Sequence, residues 1–217
     1  MNVFDKDYVA KNYDQFYESL KGKQVDEIEK NLVRQLIHSI AGRGNMLELG
    51  CGTGYWTTFF CEEGFRITAI DNSLAMLSEV KEKNIRCASF QHADATNLPF
   101  DKNNFDVVAS ITMLEFVNDI ETVFQEINRV LKPGGYLLVG WLNALSELGK
   151  NKNSDEIYRH ARFYTPVEIR QLLSRFGVPQ MRFGVHYSSD FDLLDGTDKQ
   201  DTVHPAFIAT LVQKNKK

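Results

Sequence analysis

Three glycines at alternate positions follow an acidic residue in Glu48-Leu49-Gly50-Cys51-Gly52-Thr53-Gly54. The segment sits between a short apolar run and Tyr55-Trp56-Thr57-Thr58-Phe59-Phe60. This order predicts a buried strand, a turn stripped of side chains and the first turn of a helix. Glycine tolerates positive φ and lets backbone N–H groups approach a ligand closely, so such a turn suits a polar or anionic cofactor. The spacing is G-x-G-x-G rather than the G-x-G-x-x-G of dinucleotide enzymes. Two further acids stand where the following strands should end. Asp71, in Ala69-Ile70-Asp71-Asn72-Ser73, is placed to accept hydrogen bonds from ribose hydroxyls. Asp94, in His92-Ala93-Asp94-Ala95, could accept from an adenine amino group, with the Ala95 N–H left for a ring nitrogen. Taken singly, Ser73 reads as a helix cap and Asp94 as a turn aspartate.

These residues need a sheet to hold them. Strands are expected at 46–50, 66–71, 86–92, 105–110 and 136–141, with helices between them at 55–63, 73–82 and 119–131. That alternation predicts right-handed βαβ units and a doubly wound, mostly parallel sheet, in which ligands bind beyond the carboxyl ends of the strands. Pro133-Gly134-Gly135 reads as a helix stop and tight turn. Thr165-Pro166-Val167-Glu168 is a capping box with proline at the first helical position, opening a helix to about Phe176. Strands at 181–187 and 206–212, with a polar loop between them, should pair as an antiparallel hairpin. Before the first strand lie two helical patterns. The second carries Val25, Ile28, Leu32, Val33, Leu36, Ile37 and Ile40 on one stripe.

Composition narrows the function further. The 217 residues are 43% hydrophobic and 25% charged, with a net charge of −4. This fits one α/β domain and argues against a general nucleic-acid surface. The N-terminus lacks the apolar core of a signal peptide, and no apolar run is long enough to span a bilayer. Cys51, Cys61 and Cys87 form no C-x-x-C pair and no metal-ligand spacing. They are read as reduced thiols of a cytoplasmic protein without a metal site.

Taken in order, these segments resemble the class I S-adenosylmethionine-dependent methyltransferases, in particular the type 11 small-molecule group that includes quinone-biosynthesis enzymes. The residues carrying the resemblance are 48–54, 70–73, Ala93-Asp94-Ala95-Thr96-Asn97-Leu98-Pro99-Phe100, Phe105-Asp106-Val107-Val108 and Leu131-Lys132-Pro133-Gly134-Gly135. The resemblance implies an α/β, Rossmann-like sheet of seven strands ending in an antiparallel hairpin. It further implies a single domain over 1–217, with an N-terminal helical lid at 1–44 and a substrate-side insertion at 143–164. S-adenosylmethionine would be the cofactor and S-adenosylhomocysteine the product.

By the same resemblance, Gly50, Cys51, Gly52 and Gly54 would shape the turn around the methionine portion, supported by Glu48. Asp71 would hold the ribose, Asn72 and Met76 would line the adenine, and Asp94 and Ala95 would read its edge. Ile111 and Thr112 would offer backbone groups to the methionine end. Tyr13 of the lid would reach the cofactor carboxylate.

A sulfonium-bound methyl is electrophilic without help from the protein, so a catalytic dyad is not required. Candidate proton-handling groups are His160, Tyr17 and Glu115. Candidate acceptor contacts are Tyr17, Trp141, Arg162 and Tyr164, with Asn143 and His186 as further wall residues. There is no Asn-Pro-Pro-Tyr or Asp-Pro-Pro-Tyr for amino methylation of bases, and no Pro-Cys pair to attack a pyrimidine. No thiol set for arsenic and no carboxylate cluster for a catechol-type metal is present. A small-molecule acceptor is the expected partner. A noncatalytic S-adenosylmethionine-binding subunit and a nicotinamide oxidoreductase are the competing readings, the latter disfavoured by the glycine spacing.

Overall fold

The computed structural model describes residues 3–194 and 204–216. Seven strands form one sheet: β1 (Asn45–Leu49), β2 (Arg66–Asp71), β3 (Ala88–His92), β4 (Phe105–Ile111), β5 (Leu131–Leu142), β6 (Gln180–Gly184) and β9 (Phe207–Gln213). Their spatial order is β3-β2-β1-β4-β5-β9-β6. The first five run parallel, and β9 lies antiparallel between β5 and β6. This is the doubly wound, mostly parallel α/β sheet that the alternation predicts, in the seven-stranded, Rossmann-like form with antiparallel C-terminal strands that the resemblance implies. Strand order reverses between β1 and β4, so their carboxyl ends leave a crevice.

Adjacent residues of the central strands serve opposite faces, as a pleated strand requires. Met46, Val107 and Leu138 pack with α3 (Leu20–Ile37) and α4 (Tyr55–Glu62). Their neighbours Leu47, Val108 and Leu137 pack with α6 (Ile120–Val130) and α8 (Pro166–Leu173). Burial on both faces explains the unbroken apolar runs. The apolar stripe of α3 is buried as expected, but one of its buried positions is a carboxylic acid, Glu29.

The structure departs from expectation at four places. Three short helical segments precede α3: a 3-10 turn at Val3–Asp5, α1 (Asp7–Asn12) and α2 (Gln15–Glu18). Pro133-Gly134-Gly135 is absorbed into β5 as an irregularity, with the partner shifting from Phe105↔Leu131 to Val107↔Tyr136. The strand expected at 181–187 breaks at Val185, which has φ +60, and His186–Tyr187 (β7) pairs instead with Leu193–Leu194 (β8). Residues 195–203 of the expected polar loop lie outside the described residues. Finally, Cys61 of α4 and Cys87 beside β3 form a disulfide, with Cα atoms 6.0 Å apart, while Cys51 is free and buried. The pairing joins residues 26 apart in sequence, which no short spacing rule detects. The short α5 (Leu74–Glu82) and α7 (Glu147–Asn151) complete the helices used below. No helix among the described residues is long and apolar enough to cross a membrane.

Candidate functional site

At the end of β1 the chain folds back on β2. The Gly50 and Cys51 N–H groups both donate to the Ile70 carbonyl, at 2.8 and 3.0 Å. Gly50 has φ +71, and a Cβ there would lie 2.3 Å from Met113 Cγ. Both demands exclude any side chain. The Gly52 N–H then donates to Asp71 Oδ2 at 2.8 Å, while Asp71 Oδ1 accepts the Ser73 N–H at 2.8 Å. One carboxylate therefore ties the glycine turn to the loop after β2. Burial raises the Asp71 pKa above its ordinary value, and the amides of Ser73, Gly52 and Asn72 pull it back.

A cavity of about 510 Å³ opens over this junction, within the usual range for small-molecule sites. It gathers ten of the thirteen expected cofactor residues: Tyr13, Gly50, Gly52, Asp71, Asn72, Met76, Asp94, Ala95, Ile111 and Thr112. Asp94 also serves its own turn, accepting the Thr96 N–H and hydroxyl at 2.8 Å each. Thr112 holds φ +48, an uncommon conformation for a non-glycine residue, fixed by its N–H donating to the Gly140 carbonyl. Three expected residues stand behind the wall. Glu48 is buried and accepts the Thr57 hydroxyl at 2.6 Å, Cys51 is buried in the core, and Gly54 forms the left-handed cap of α4.

Met113 and Phe116, from the apolar stretch at the β4 carboxyl end that suits a methionine-like chain, also line the wall. Sequence reasoning missed Phe4 and Asn118, which line it too; Asn118 follows the same strand end, where the strand-end rule could have found it. Phe4 had no signal. It reaches the site because the Ser73 hydroxyl donates to its carbonyl at 2.8 Å and its ring meets Phe116 edge-on at 4.8 Å. A second pin holds the same N-terminal segment, with the Thr53 hydroxyl donating to Asp14 Oδ1 at 2.7 Å. The Tyr8 hydroxyl reaches Glu156 at 2.5 Å, joining this segment to the stretch after β5. Removing the Thr53 pin by Thr53→Val should weaken cofactor affinity about 3- to 10-fold, the scale of one hydrogen bond. The melting temperature should change little, and calorimetry with the variant checks both.

The acceptor-side candidates divide. His160 lines the cavity. Tyr17 is stacked on Tyr55, with ring centroids 3.9 Å apart. Neither Tyr17 nor any of the others lines the cavity. Trp141 is wholly buried, and its indole N–H donates to the Thr210 hydroxyl at 3.0 Å. Tyr164 packs edge-on against Trp141, and exposed Arg162 lies over the Tyr164 ring and pairs with Glu168. Asn143 is buried, donating to the Pro205 carbonyl, and His186 lies in β7. Glu115 accepts the Leu142 N–H at 2.7 Å on one oxygen, while its other oxygen is buried without a partner. It does not line the cavity, so the physical case for Glu115 as a proton acceptor in the site is lost. Among the described residues no cluster of three or more His, Cys, Asp or Glu could hold a metal ion.

Three buried glutamates, besides Asp71, have raised pKa values. Burial lifts Glu29 and Glu48 to about 8 and Glu115 to about 7, from an ordinary 4.5. Unfolding in the window between about 4.5 and 8 therefore releases protons, so stability falls as pH rises through it. The melting temperature of the unliganded protein should drop between pH 5.5 and 8.5. Glu48→Gln, which keeps the shape without the charge, should flatten part of that drop. A thermal-melt series across pH checks both.

Residues 47–139, from β1 into β5, match the model of a family described as "Methyltransferase domain". Over 219 aligned residues the chain is 30% identical to an uncharacterized protein, MJ1123, of Methanocaldococcus jannaschii, covering 99% of this chain and 100% of that protein. It is 36% identical over 141 residues to a demethylmenaquinone methyltransferase of Bacillus licheniformis. The chain belongs to the class I S-adenosylmethionine-dependent methyltransferases. The Bacillus match covers 63% of this methyltransferase and 59% of the relative, so it spans little over half of that enzyme. Among solved structures, a Thermotoga maritima protein described as a possible histamine N-methyltransferase superposes with a TM-score of 0.72 at 23% identity. That match covers 96% of this chain and 98% of the other, and carries the fold.

The methyltransferase cavity fits its cofactor on its own geometry. A side-chain-free turn, a buried carboxylate facing it and a second acid beyond β3 line one space.

Proposed function

We propose that this methyltransferase moves a methyl group from S-adenosylmethionine to a small-molecule acceptor by in-line displacement. The observation that carries the reading is the single cavity shared by the glycine turn, Asp71 and Asp94 on one side and Tyr13 and His160 on the other. When bound, the cofactor supplies an electrophilic methyl. Asp71 holds the ribose hydroxyls with its remaining lone pairs. Asn72 and Met76 flank the adenine, and Asp94 and the Ala95 N–H read its edge. Gly50 and Gly52 leave room for the methionine chain, toward which Ile111, Thr112 and the Tyr13 hydroxyl direct polar groups. Glu48, Cys51 and Gly54 support the turn from behind.

The N-terminal segment acts as a lid, and the stretch 143–164 joins it through Tyr8 and Glu156. Enclosure by these elements supports a small acceptor rather than a nucleic acid, as does the net charge of −4. Holding reactants in line can supply up to ~7–11 kcal/mol in favourable model reactions. Exclusion of water by Phe4, Phe116 and Met113 keeps the alignment dry.

Incubating the protein with radiolabelled S-adenosylmethionine and a metabolite extract tests the reading. Label should pass to a low-mass product. Cofactor binding with no transfer to any acceptor would favour a noncatalytic binding subunit instead.

A further inference from the structure

Among the described residues the connection from β3 to β4 carries no helix, whereas α4, α5 and α6 bridge the other parallel strands. Beside it, at the amino ends of β1, β2 and β3, lies a second cavity of about 570 Å³. Its lining includes Asn45, Arg66, Thr68, Arg86, Ser89 and Phe100. Arg66 and Asp71 are the first and last residues of β2, about 17 Å apart at the rise of a strand, so this cavity is remote from the glycine turn.

The pleat of the strands builds its floor. Ile67, Ala69, Ala88 and Phe90 join the core that packs with α3 and α4, so Arg66, Thr68 and Ser89 stand on the opposite face. Asn45 and Arg66 are register partners across β1 and β2, as are Thr68 and Ser89 across β2 and β3. Arg66 donates its Nε to Asn45 Oδ1 at 3.1 Å, which leaves its two terminal nitrogens without a hydrogen bond among the described residues. The Arg86 side chain is exposed and has no hydrogen bond or ion pair among them. Cys87, which follows Arg86 and also lines the cavity, is bonded to Cys61 of α4, so the turn carrying Arg86 is anchored.

No aspartate or glutamate among the described residues lines this space. Asp106, on which the Arg66 charge acts, is already engaged by Lys132 Nζ at 2.7 Å and the Asn45 N–H at 2.9 Å. In a chain of net charge −4, two guanidiniums around one cavity without a carboxylate make a local excess of positive charge. Each guanidinium is a planar fork of donors that matches phosphate oxygens. A carboxylate has two oxygens and is filled by one fork. A phosphate monoester has three terminal oxygens and nearly two charges above pH 7, enough for both arginines and a hydroxyl of Thr68 or Ser89. Phe100, half-buried and edge-on to Phe105 at 5.1 Å, adds an apolar wall for an organic group.

We propose that this cavity binds a small organic phosphate monoester through Arg66 and Arg86, independently of the cofactor. Calorimetric titration of the full chain at pH 8 and physiological salt, with phenyl phosphate, benzoate and a single-stranded oligonucleotide, tests it. Phenyl phosphate should bind at least 10-fold more tightly than benzoate, and saturation with S-adenosylhomocysteine should change its affinity less than 2-fold. Arg66→Gln and Arg86→Gln should each weaken it at least 5-fold while leaving S-adenosylhomocysteine affinity and the melting temperature in place, since both side chains are exposed. No binding of phenyl phosphate, equal affinity for benzoate, or an affinity that survives both substitutions overturns the proposal. So does displacement by S-adenosylhomocysteine, which would put the phosphate at the glycine turn. Binding of the oligonucleotide alone also overturns it, by making the two arginines part of a nucleic-acid surface.

Discussion

Asp71→Ala is expected to weaken S-adenosylhomocysteine binding by roughly 10- to 150-fold, the ~1.5–3 kcal/mol typical of a hydrogen bond to a charged group. The substitution removes more than a ribose contact. Asp71 accepts the Gly52 N–H and the Ser73 N–H, so its loss also frees the glycine turn from the loop after β2. Some loss of thermal stability should accompany the loss of affinity. Asp71→Asn separates the two effects. Its amide oxygen can still accept one of the backbone N–H groups, so the fold should hold while affinity falls less than in the alanine variant. Calorimetric titration of both variants gives the answer, and unchanged affinity in Asp71→Ala would remove the ribose from this carboxylate.

Gly50→Ala should be more damaging still. At φ +71 an L side chain is strained by about 1–2 kcal/mol, and the new Cβ would lie 2.3 Å from Met113 Cγ. Relieving that clash means moving Met113, which itself lines the cavity, at a further cost of about 1–3 kcal/mol. The expected outcome is a melting temperature lowered by several degrees and cofactor affinity reduced at least 100-fold. Gly52→Ala is the informative contrast. It shares a positive φ of +53, but its Cβ would meet nothing within 4 Å. Alanine there should cost the fold only its backbone strain and reduce binding mainly by intruding on the cavity. If both variants lost stability equally, the clash with Met113 would not be what requires glycine at position 50.

Much of the fold was legible because parallel strands buried on both faces leave unbroken apolar runs, as in Met46-Leu47 and Val107-Val108. The gathering of the candidate cofactor residues in one cavity was legible for a related reason. Strand ends, rather than distant contacts, set the positions of Gly50, Asp71 and Asp94. The candidates for the acceptor side were harder to place because distant elements set their surroundings. Trp141 looked like a wall residue at the end of β5, but the antiparallel pairing with β9 turns its indole onto Thr210. Glu29 lay hidden in an apolar helical stripe, where helical periodicity gives no sign that a carboxyl is buried. Cys61 and Cys87 were separated in sequence by α5 and joined only by the packing around β2. Phe4 gained its place through a hydrogen bond from Ser73, a residue already explained as a helix cap.

Hydrogen–deuterium exchange of the full chain, with and without saturating S-adenosylhomocysteine, tests most directly where the cofactor lies. Exchange should slow in peptides carrying residues 50–54, 71–76, 94–98 and 111–113, and in the N-terminal segment around Tyr13. Protection confined to other regions while the product is bound would contradict the site.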